Sequence, residues 1–211
     1  MHSTNPHLDG AVFEWGGDGD STLAVLAVHG RTQTPDFMRE QADRLDVSHA
    51  RFFAPRAWEN TWYPKPFLEP IHENQPALGY ALDAVDARID DLLAHGFQTD
   101  RVVLWGFSQG ACLLAHHCLT RPRPIGGLIL YTGGFIGPGR VDPIPRSLTG
   151  VPTVMRSIEN DPFVPAHRVR ETADALRVAG SDVDVLVAPG DEHIITEEAI
   201  DAGRTLLARL A

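Results

Sequence analysis

The chain has 211 residues, 43% of them apolar, and this length and composition predict one compact domain over residues 1–211. Its 28 acidic residues outnumber its 18 lysines and arginines, and the net charge of −10 argues against a surface that binds nucleic acid or anionic membranes. The longest apolar run, residues 23–28, is far shorter than the roughly 20 residues of a membrane span, and residues 1–7 lack the apolar core of a signal peptide. We therefore expect a cytoplasmic protein with no membrane span.

Short apolar, β-branched runs alternate along the chain with segments of helical spacing. The predicted strands are residues 22–28, 101–105, 127–131, 151–155 and 183–187. The predicted helices are residues 36–45, 77–95, 109–119, 166–179 and 196–210. This alternation predicts an α/β fold whose mostly parallel central sheet is covered by helices on both faces, with ligands binding beyond the carboxyl ends of the strands.

The cysteines and histidines show no pattern that indicates a metal site. Cys112 and Cys118 lie six residues apart in a predicted helix, about 9 Å along its axis, which is too far for a disulfide. The sequence contains no C-x-x-C pair and no H-E-x-x-H motif. We expect two reduced cysteines and no bound metal.

A proline-rich stretch at residues 55–76 carries four large aromatic side chains: Trp58, Trp62, Tyr63 and Phe67. Two interpretations stay open. The rings either cap the hydrophobic core or form the wall of a substrate cleft, because small-molecule sites are largely apolar with few polar groups.

The most informative motif is Gly-Phe-Ser-Gln-Gly at residues 106–110, between a predicted strand and a predicted helix. A serine in this setting sits on a tight strand-to-helix turn, where Gly106 and Gly110 leave space for the crowded backbones. We predict that Ser108 is a catalytic nucleophile. The alternative is an ordinary turn with a capping serine.

A serine nucleophile needs a histidine base, which is expected later in the chain. His193 follows the last predicted strand, and so is placed at the same edge of the sheet as Ser108. His116 and His117 lie two turns along the helix after Ser108 and point away from it, while His167 begins another helix. The sequence therefore favours His193.

An acid that orients the histidine is expected between Ser108 and His193. Asp161 lies in the loop after the predicted strand at 151–155, again at the carboxyl edge. Asp142 lies in the irregular stretch 133–152, and Asp191 is too near His193 in sequence to turn back onto its ring. We favour Asp161, with Glu159 as the second choice.

The tetrahedral intermediate of acyl transfer needs N–H donors for its oxyanion. One is expected from Gln109, directly after the nucleophile, and another from the loop that follows the first long strand. In that loop Gly30 allows the backbone to turn, which makes Arg31 the preferred donor and Thr32 its rival. His29, at the strand end, is interpreted as a structural hydrogen-bonding residue.

Together these motifs resemble the phospholipase/carboxylesterase branch of the α/β-hydrolases, which includes the acyl-protein thioesterases. The resemblance covers nearly the whole chain and rests on residues 28–31, 62–63, 106–111, 161–165 and 189–190 with His193. It implies an α/β-hydrolase fold with a minimal lid, an acyl-serine intermediate, no cofactor and, as often in the family, a homodimer. It also implies a triad of Ser108, Asp161 and His193.

Three positions depart from the family pattern. Thr32 stands where the family often has glycine, Ser157-Ile158 replaces a small or His-Gly pair, and Asp191-Glu192 replaces a less charged pair before the histidine. The acidic pair predicts weak repulsion of anionic substrates.

The predicted function is hydrolysis of a small-molecule carboxylic ester or thioester. Two alternatives stay open: a non-catalytic protein that binds a small aromatic ligand on the same fold, and a lactone hydrolase or acyltransferase that uses the same nucleophile.

Overall fold

A seven-stranded sheet forms the centre of the protein in a computed structural model that describes residues 5–17 and 21–211. The strands are β1 (Val12–Trp15), β2 (Leu23–Val28), β3 (Ala50–Pro55), β4 (Val102–Phe107), β5 (Gly127–Tyr131), β6 (Pro152–Ile158) and β7 (Asp182–Ala188). Their order is β1-β3-β2-β4-β5-β6-β7, with β1 antiparallel to β3 and every other pair parallel. The predicted α/β fold with a mostly parallel sheet is confirmed.

The described residues form five α-helices: α1 (Pro35–Leu45), α2 (Ala77–Ala94), α3 (Gln109–Thr120), α4 (Ala166–Val178) and α5 (Glu197–Arg209). The first four connect strands, and α5 follows β7. They agree with the predicted helices to within one or two residues at each end. Short 3-10 turns lie at Trp58–Asn60, Ile71–Asn74 and Thr99–Arg101. Within the described residues, no helix has the length and apolar character needed to cross a membrane.

Strand β2 shows how the sequence builds the two core layers. All six of its side chains are buried, and successive side chains point to opposite faces of the sheet. Leu23 and Val25 pack in the layer covered by α1 and α5, whereas Leu26 and Val28 pack in the layer covered by α2, α3 and α4. A strand buried on both faces accounts for the continuous apolar run in the sequence.

The sequence analysis missed the two strands β1 and β3. β1 has only four residues, and the arginine within β3 interrupts its apolar run. The structure places Arg51 beside Glu14 across the strand pair, 2.9 Å apart, and stacks Trp15 on Phe52. These contacts between distant segments stabilise the strand pair. They cannot be recognised from the pattern of apolar residues within either strand.

The register of the strands brings the loops after β2, β4, β6 and β7 to one edge of the sheet. Val28 pairs with Gly106, so β2 and β4 end side by side, and Ile158 pairs with Ala188 at the ends of β6 and β7. β4 and β7 are three strand spacings apart, about 14 Å. The loops after β6 and β7 must therefore extend back along the edge to reach the turn after β4.

Candidate active site

Ser108 occupies a strained turn between β4 and α3. Its φ of 53° and ψ of −119° lie outside the regions that side chains usually adopt. A Cβ at Gly106 would come within 2.7 Å of the Ala111 nitrogen, and one at Gly110 would collide with the Val28 carbonyl oxygen. Both glycines are therefore required by the close packing of β4, α3 and β2, as the motif indicated.

The three residues predicted as a triad are connected by hydrogen bonds. His193 Nε2 lies 2.8 Å from Ser108 Oγ, and His193 Nδ1 lies 2.7 Å from Asp161 Oδ2. The three side chains come from the segments after β4, β6 and β7, all of which lie at the carboxyl edge of the sheet. The arrangement has the geometry of a nucleophile, a base and an orienting acid.

The Asp161 carboxylate is buried but well supplied with donors. Its Oδ1 accepts hydrogen bonds from the backbone N–H groups of Phe163 and Val164, each at 2.9 Å. Burial raises the pKa of Asp161, but the hydrogen bonds from His193 and from these two N–H groups lower it by more, so the net shift is downward. The carboxyl group is therefore ionised at neutral pH, which suits it to hold an imidazolium ion.

The competing acids and bases lie elsewhere. Glu159 is exposed and pairs with Arg170 at 2.6 Å, and His167 is exposed at the start of α4. His117 is buried in α3, where its Nε2 lies 2.8 Å from the Asp86 carboxylate. Burial lowers the pKa of His116 to about 4. None of these groups takes part in the Ser108–His193 contact.

Backbone N–H groups in the loop after β2 lie next to the nucleophile. A Cβ at Gly30 would come 3.1 Å from Ser108 Cβ, so the loop backbone passes directly beside the serine. Gly30 N–H donates to the Gln33 side chain, Thr32 N–H to the Asn60 carbonyl and Gln33 N–H to the Gly30 carbonyl. Arg31 N–H has no partner among the described residues, which favours Arg31 over Thr32 as a donor.

His29 fixes the orientation of the peptide group that carries this donor. His29 Nδ1 donates to the Gly30 carbonyl oxygen at 2.7 Å, and its Nε2 accepts from Ala57 N–H at 3.1 Å. Only the tautomer with a proton on Nδ1 satisfies both partners. In a trans peptide the C=O of Gly30 and the N–H of Arg31 point in opposite directions, so this bond also orients the Arg31 N–H.

His29 stays neutral in this position. Burial lowers the pKa of His29 to about 4, with smaller opposing and reinforcing effects from the Gly30 carbonyl and from Arg56 and His7. The sequence identified His29 as a structural residue, and the structure adds which bond it controls.

A family comparison agrees with this geometry. The family model described as phospholipase/carboxylesterase matches residues 17–210. The chain belongs to this family. A crystal structure of a phospholipase/carboxylesterase from Dyadobacter fermentans is 30% identical to the chain, with a TM-score of 0.88, and the match covers 94% of this chain and 96% of that one.

More distant relatives include two curated acyl-protein thioesterases. The protein named acyl-protein thioesterase 1 in Schizosaccharomyces pombe is 26% identical over 67% of this chain, and that in Gibberella zeae is 29% identical over 57%. The chain spans 64% and 53% of the length of these two relatives. A carboxylesterase from Bacillus cereus, 17% identical with a TM-score of 0.77 over 99% of this chain and 100% of that one, shares the fold.

The burial of the aromatic stretch after β3 bears on its two interpretations. Trp62, Tyr63 and Phe67 are buried and pack in the core layer under α2 and α3, as rings that cap the core do. Trp58 is 55% exposed, and together with Pro6, Tyr63 and Tyr80 it lines a surface hollow that contains none of Ser108, Asp161 and His193. The alternative in which the rings cap the core therefore describes three of the four.

The side chain of Gln109 joins this aromatic stretch to the site. Its Oε1 accepts from Trp62 N–H at 2.9 Å, and its Nε2 donates to the Tyr63 carbonyl at 2.7 Å. Trp62 Nε1 in turn donates to the His29 carbonyl at 2.9 Å. These hydrogen bonds of residues 62–63 connect the loop after β2 to the turn that carries Ser108.

Thr32 explains why the family often has glycine at its position. Its φ of 63° is a left-handed conformation, which is unfavourable for a β-branched residue. The conformation allows its N–H to reach the Asn60 carbonyl at 2.8 Å.

The sequence analysis did not identify Phe163, whose ring contacts the ring of His193. This ring lies edge-on to the His193 ring with 4.9 Å between the ring centroids, and the Phe107 ring lies at the same centroid distance from His193. The available signal was a large aromatic residue two positions after the predicted acid. Within residues 5–17 and 21–211, no group of three or more metal-binding side chains is present.

Proposed function

We propose that the protein is a serine hydrolase that cleaves carboxylic esters or thioesters through an acyl-serine intermediate. The observation that carries the proposal is the continuous hydrogen-bonded path from Ser108 Oγ through the imidazole of His193 to Asp161. This hydrogen-bonded path serves to move a proton from the serine hydroxyl group. A serine that only caps a helix, or a protein that only binds a ligand, does not require it.

Acylation begins when Ser108 Oγ attacks the substrate carbonyl carbon. His193 Nε2 takes the hydroxyl proton, and the Asp161 carboxylate stabilises the resulting imidazolium while it fixes the ring through Nδ1. The N–H groups of Arg31 and Gln109 receive the negative charge on the carbonyl oxygen. The intermediate then collapses, and the leaving group departs with the proton from His193.

Deacylation repeats these steps with water. His193 takes a proton from the water molecule, the hydroxide oxygen attacks the acyl carbon, and Ser108 recovers its proton as the acid is released. No metal or cofactor enters the proposed cycle. The proposal includes thioesters because the curated relatives are named as thioesterases, and esters because the family is one of carboxylesterases.

The test compares wild-type protein with Ser108→Ala on nitrophenyl esters of increasing chain length and on matched acyl thioesters. We expect turnover to fall by about 10⁴-fold or more in the variant, because the residual activity comes only from binding and the oxyanion donors. A fluorophosphonate should add one label to Ser108 of the wild type, detected by mass spectrometry. Folded wild-type protein that shows neither turnover nor label would instead support the non-catalytic ligand-binding function.

The same assay separates hydrolysis from acyl transfer. Adding an alcohol lets the acyl-enzyme form either the free acid or a new ester, and the two products are separated by chromatography. We expect the acid to dominate. A predominant ester product would instead indicate an acyltransferase.

A further inference from the structure

An apolar surface flanks the proposed base on its solvent side. Phe163 is 66% exposed, although its ring contacts the His193 ring, and Ile194, the next residue after the base, is 45% exposed. Isolated exposed apolar residues are common in proteins, but two of them beside a histidine that contacts a nucleophile form an exposed patch at a reactive position.

Acidic side chains border this patch. Asp191 and Glu192 directly precede His193, and both are exposed. Arg170 on α4, the helix that follows the Asp161 loop, pairs with Glu159 at 2.6 Å. The surface beside His193 therefore combines apolar contact area with negative charge.

The proposed mechanism determines which part of a substrate meets this surface. The carbonyl oxygen points to the N–H groups of Arg31 and Gln109. The bond that breaks joins the carbonyl carbon to the leaving oxygen or sulfur, and the electron pair of that bond goes to the leaving atom. That atom must lie near His193 Nε2 to receive the proton taken from Ser108. The leaving group, not the acyl chain, is thus placed on the His193 side of the site.

We propose that Phe163 and Ile194, bordered by Asp191 and Glu192, bind the leaving group and select alcohols or thiols that are apolar and carry no negative charge. We call these four residues the leaving-group surface. Apolar leaving groups gain contact with the exposed ring, whereas phosphorylated ones meet the acidic pair. This inference rests on the proposed function, and it specifies the substrate class of the same site.

The test uses three thioesters with one acyl group, hexanoyl, and three alkyl thiols of similar acidity. The thiols are benzyl mercaptan, which is apolar and neutral, N-acetylcysteamine, which is polar and neutral, and coenzyme A, which carries phosphates. All three substrates form the same acyl-enzyme, so deacylation is identical and kcat/KM reports the acylation step. For the wild type we expect kcat/KM to fall in the order in which the thiols are named.

The first variant removes the exposed ring. Phe163→Ala should lower kcat/KM for the benzyl thioester by about tenfold, with a change of about twofold or less for N-acetylcysteamine. The matched control is Phe13→Ala, which removes a 41% exposed ring from β1 and should leave all three values unchanged. An equal loss on all three substrates would show that Phe163 only supports His193, and would overturn the inference.

The second variant removes the negative charges. Asp191→Asn/Glu192→Gln should raise kcat/KM for the coenzyme A thioester by about fivefold at low salt, with no change for N-acetylcysteamine, and high salt should remove the gain. The matched control is Asp100→Asn/Asp182→Asn, since both of these exposed carboxylates lie at the opposite edge of the sheet. An unchanged coenzyme A value would show that the acidic pair has no part in selection.

These outcomes differ from a failure of the proposed function. If wild-type protein cleaves none of the three thioesters, or if Ser108→Ala cleaves them equally well, then the serine mechanism itself is wrong. If the wild type cleaves all three with equal kcat/KM and Ser108→Ala cleaves none, then the mechanism stands and the leaving-group surface does not.

Discussion

His29 shows how a single buried side chain can control a donor that it does not itself supply. It donates to the Gly30 carbonyl oxygen through Nδ1 at 2.7 Å, where Gln33 N–H also donates at 3.3 Å, and it accepts from Ala57 N–H through Nε2. Activity should therefore depend on the bond to Gly30 more than on the imidazole ring itself.

Two variants at this position separate the two hydrogen bonds. In His29→Asn the side-chain amide can still donate to Gly30, whereas in His29→Gln the longer side chain can still accept from Ala57 but does not reach Gly30. We expect His29→Asn to retain kcat within about threefold, and His29→Gln to lower kcat by about tenfold or more with an unchanged KM, because a misaligned oxyanion donor weakens the transition state alone. Both variants lose the same ring contact with Trp62.

The two variants should also be compared by thermal unfolding. Similar losses of kcat in both, parallel to similar losses in melting temperature, would mean that His29 acts only on stability.

At the scale of single residues, the sequence predicted Ser108, Asp161 and His193, because each follows a strand and the carboxyl ends of parallel strands meet at one edge. It did not predict the exposed ring of Phe163, because only the folded loop shows that this ring turns toward His193.

At the scale of elements, the approach of α3 to β2 sets the position of Ser108. Gly110 allows the first turn of α3 to touch the Val28 carbonyl, and an added Cβ there has no space. We expect Gly110→Ala to lower the free energy of unfolding by about 3 kcal/mol, because the neighbour is backbone at the centre of the sheet and has little freedom to move. Chemical denaturation followed by circular dichroism measures this change.

Gly139→Ala is the matched control for that variant. A Cβ at Gly139 meets nothing within 4 Å, so stability should stay within about 0.5 kcal/mol of the wild type. A stable Gly110→Ala protein with unchanged acylation would contradict the packing explanation.

The strands differ in how well they can be predicted from their own sequence. β2 and β4 are buried on both faces and were visible as apolar runs, whereas β3 was hidden because Arg51 lies within it. That arginine is accommodated by Glu14 on β1, a residue 37 positions earlier in the chain. A strand whose polar residue is neutralised by a distant segment cannot be recognised from its own letters alone.

At the scale of the whole molecule, buried histidines make stability depend on pH. Burial lowers the pKa of His7, and it lowers the pKa values of His29 and His116 to about 4, from the 6.5 of an exposed histidine. Between pH 6.5 and 4 the unfolded chain binds protons that the folded chain does not. The free energy of unfolding should therefore fall as the pH falls through this window.

His116→Gln tests this prediction, because it removes one of these groups from α3 without touching the site. The slope of the unfolding free energy against pH between 4 and 6.5 should decrease in the variant, as measured by urea denaturation. His72→Gln, which changes an exposed histidine, should leave the slope unchanged. Identical slopes in all three proteins would refute the assignment to buried histidines.

The location of the proposed base in the chain has a consequence for incomplete molecules. β7 is the last strand and lies at the edge of the sheet, and the loop after it supplies His193. A fragment that ends before β7 retains the serine and the carboxylate but has no group to accept the hydroxyl proton. This fragment could be combined with a separate peptide that contains β7 and α5. The two pieces would act as a split reporter, in which ester cleavage appears only when they associate.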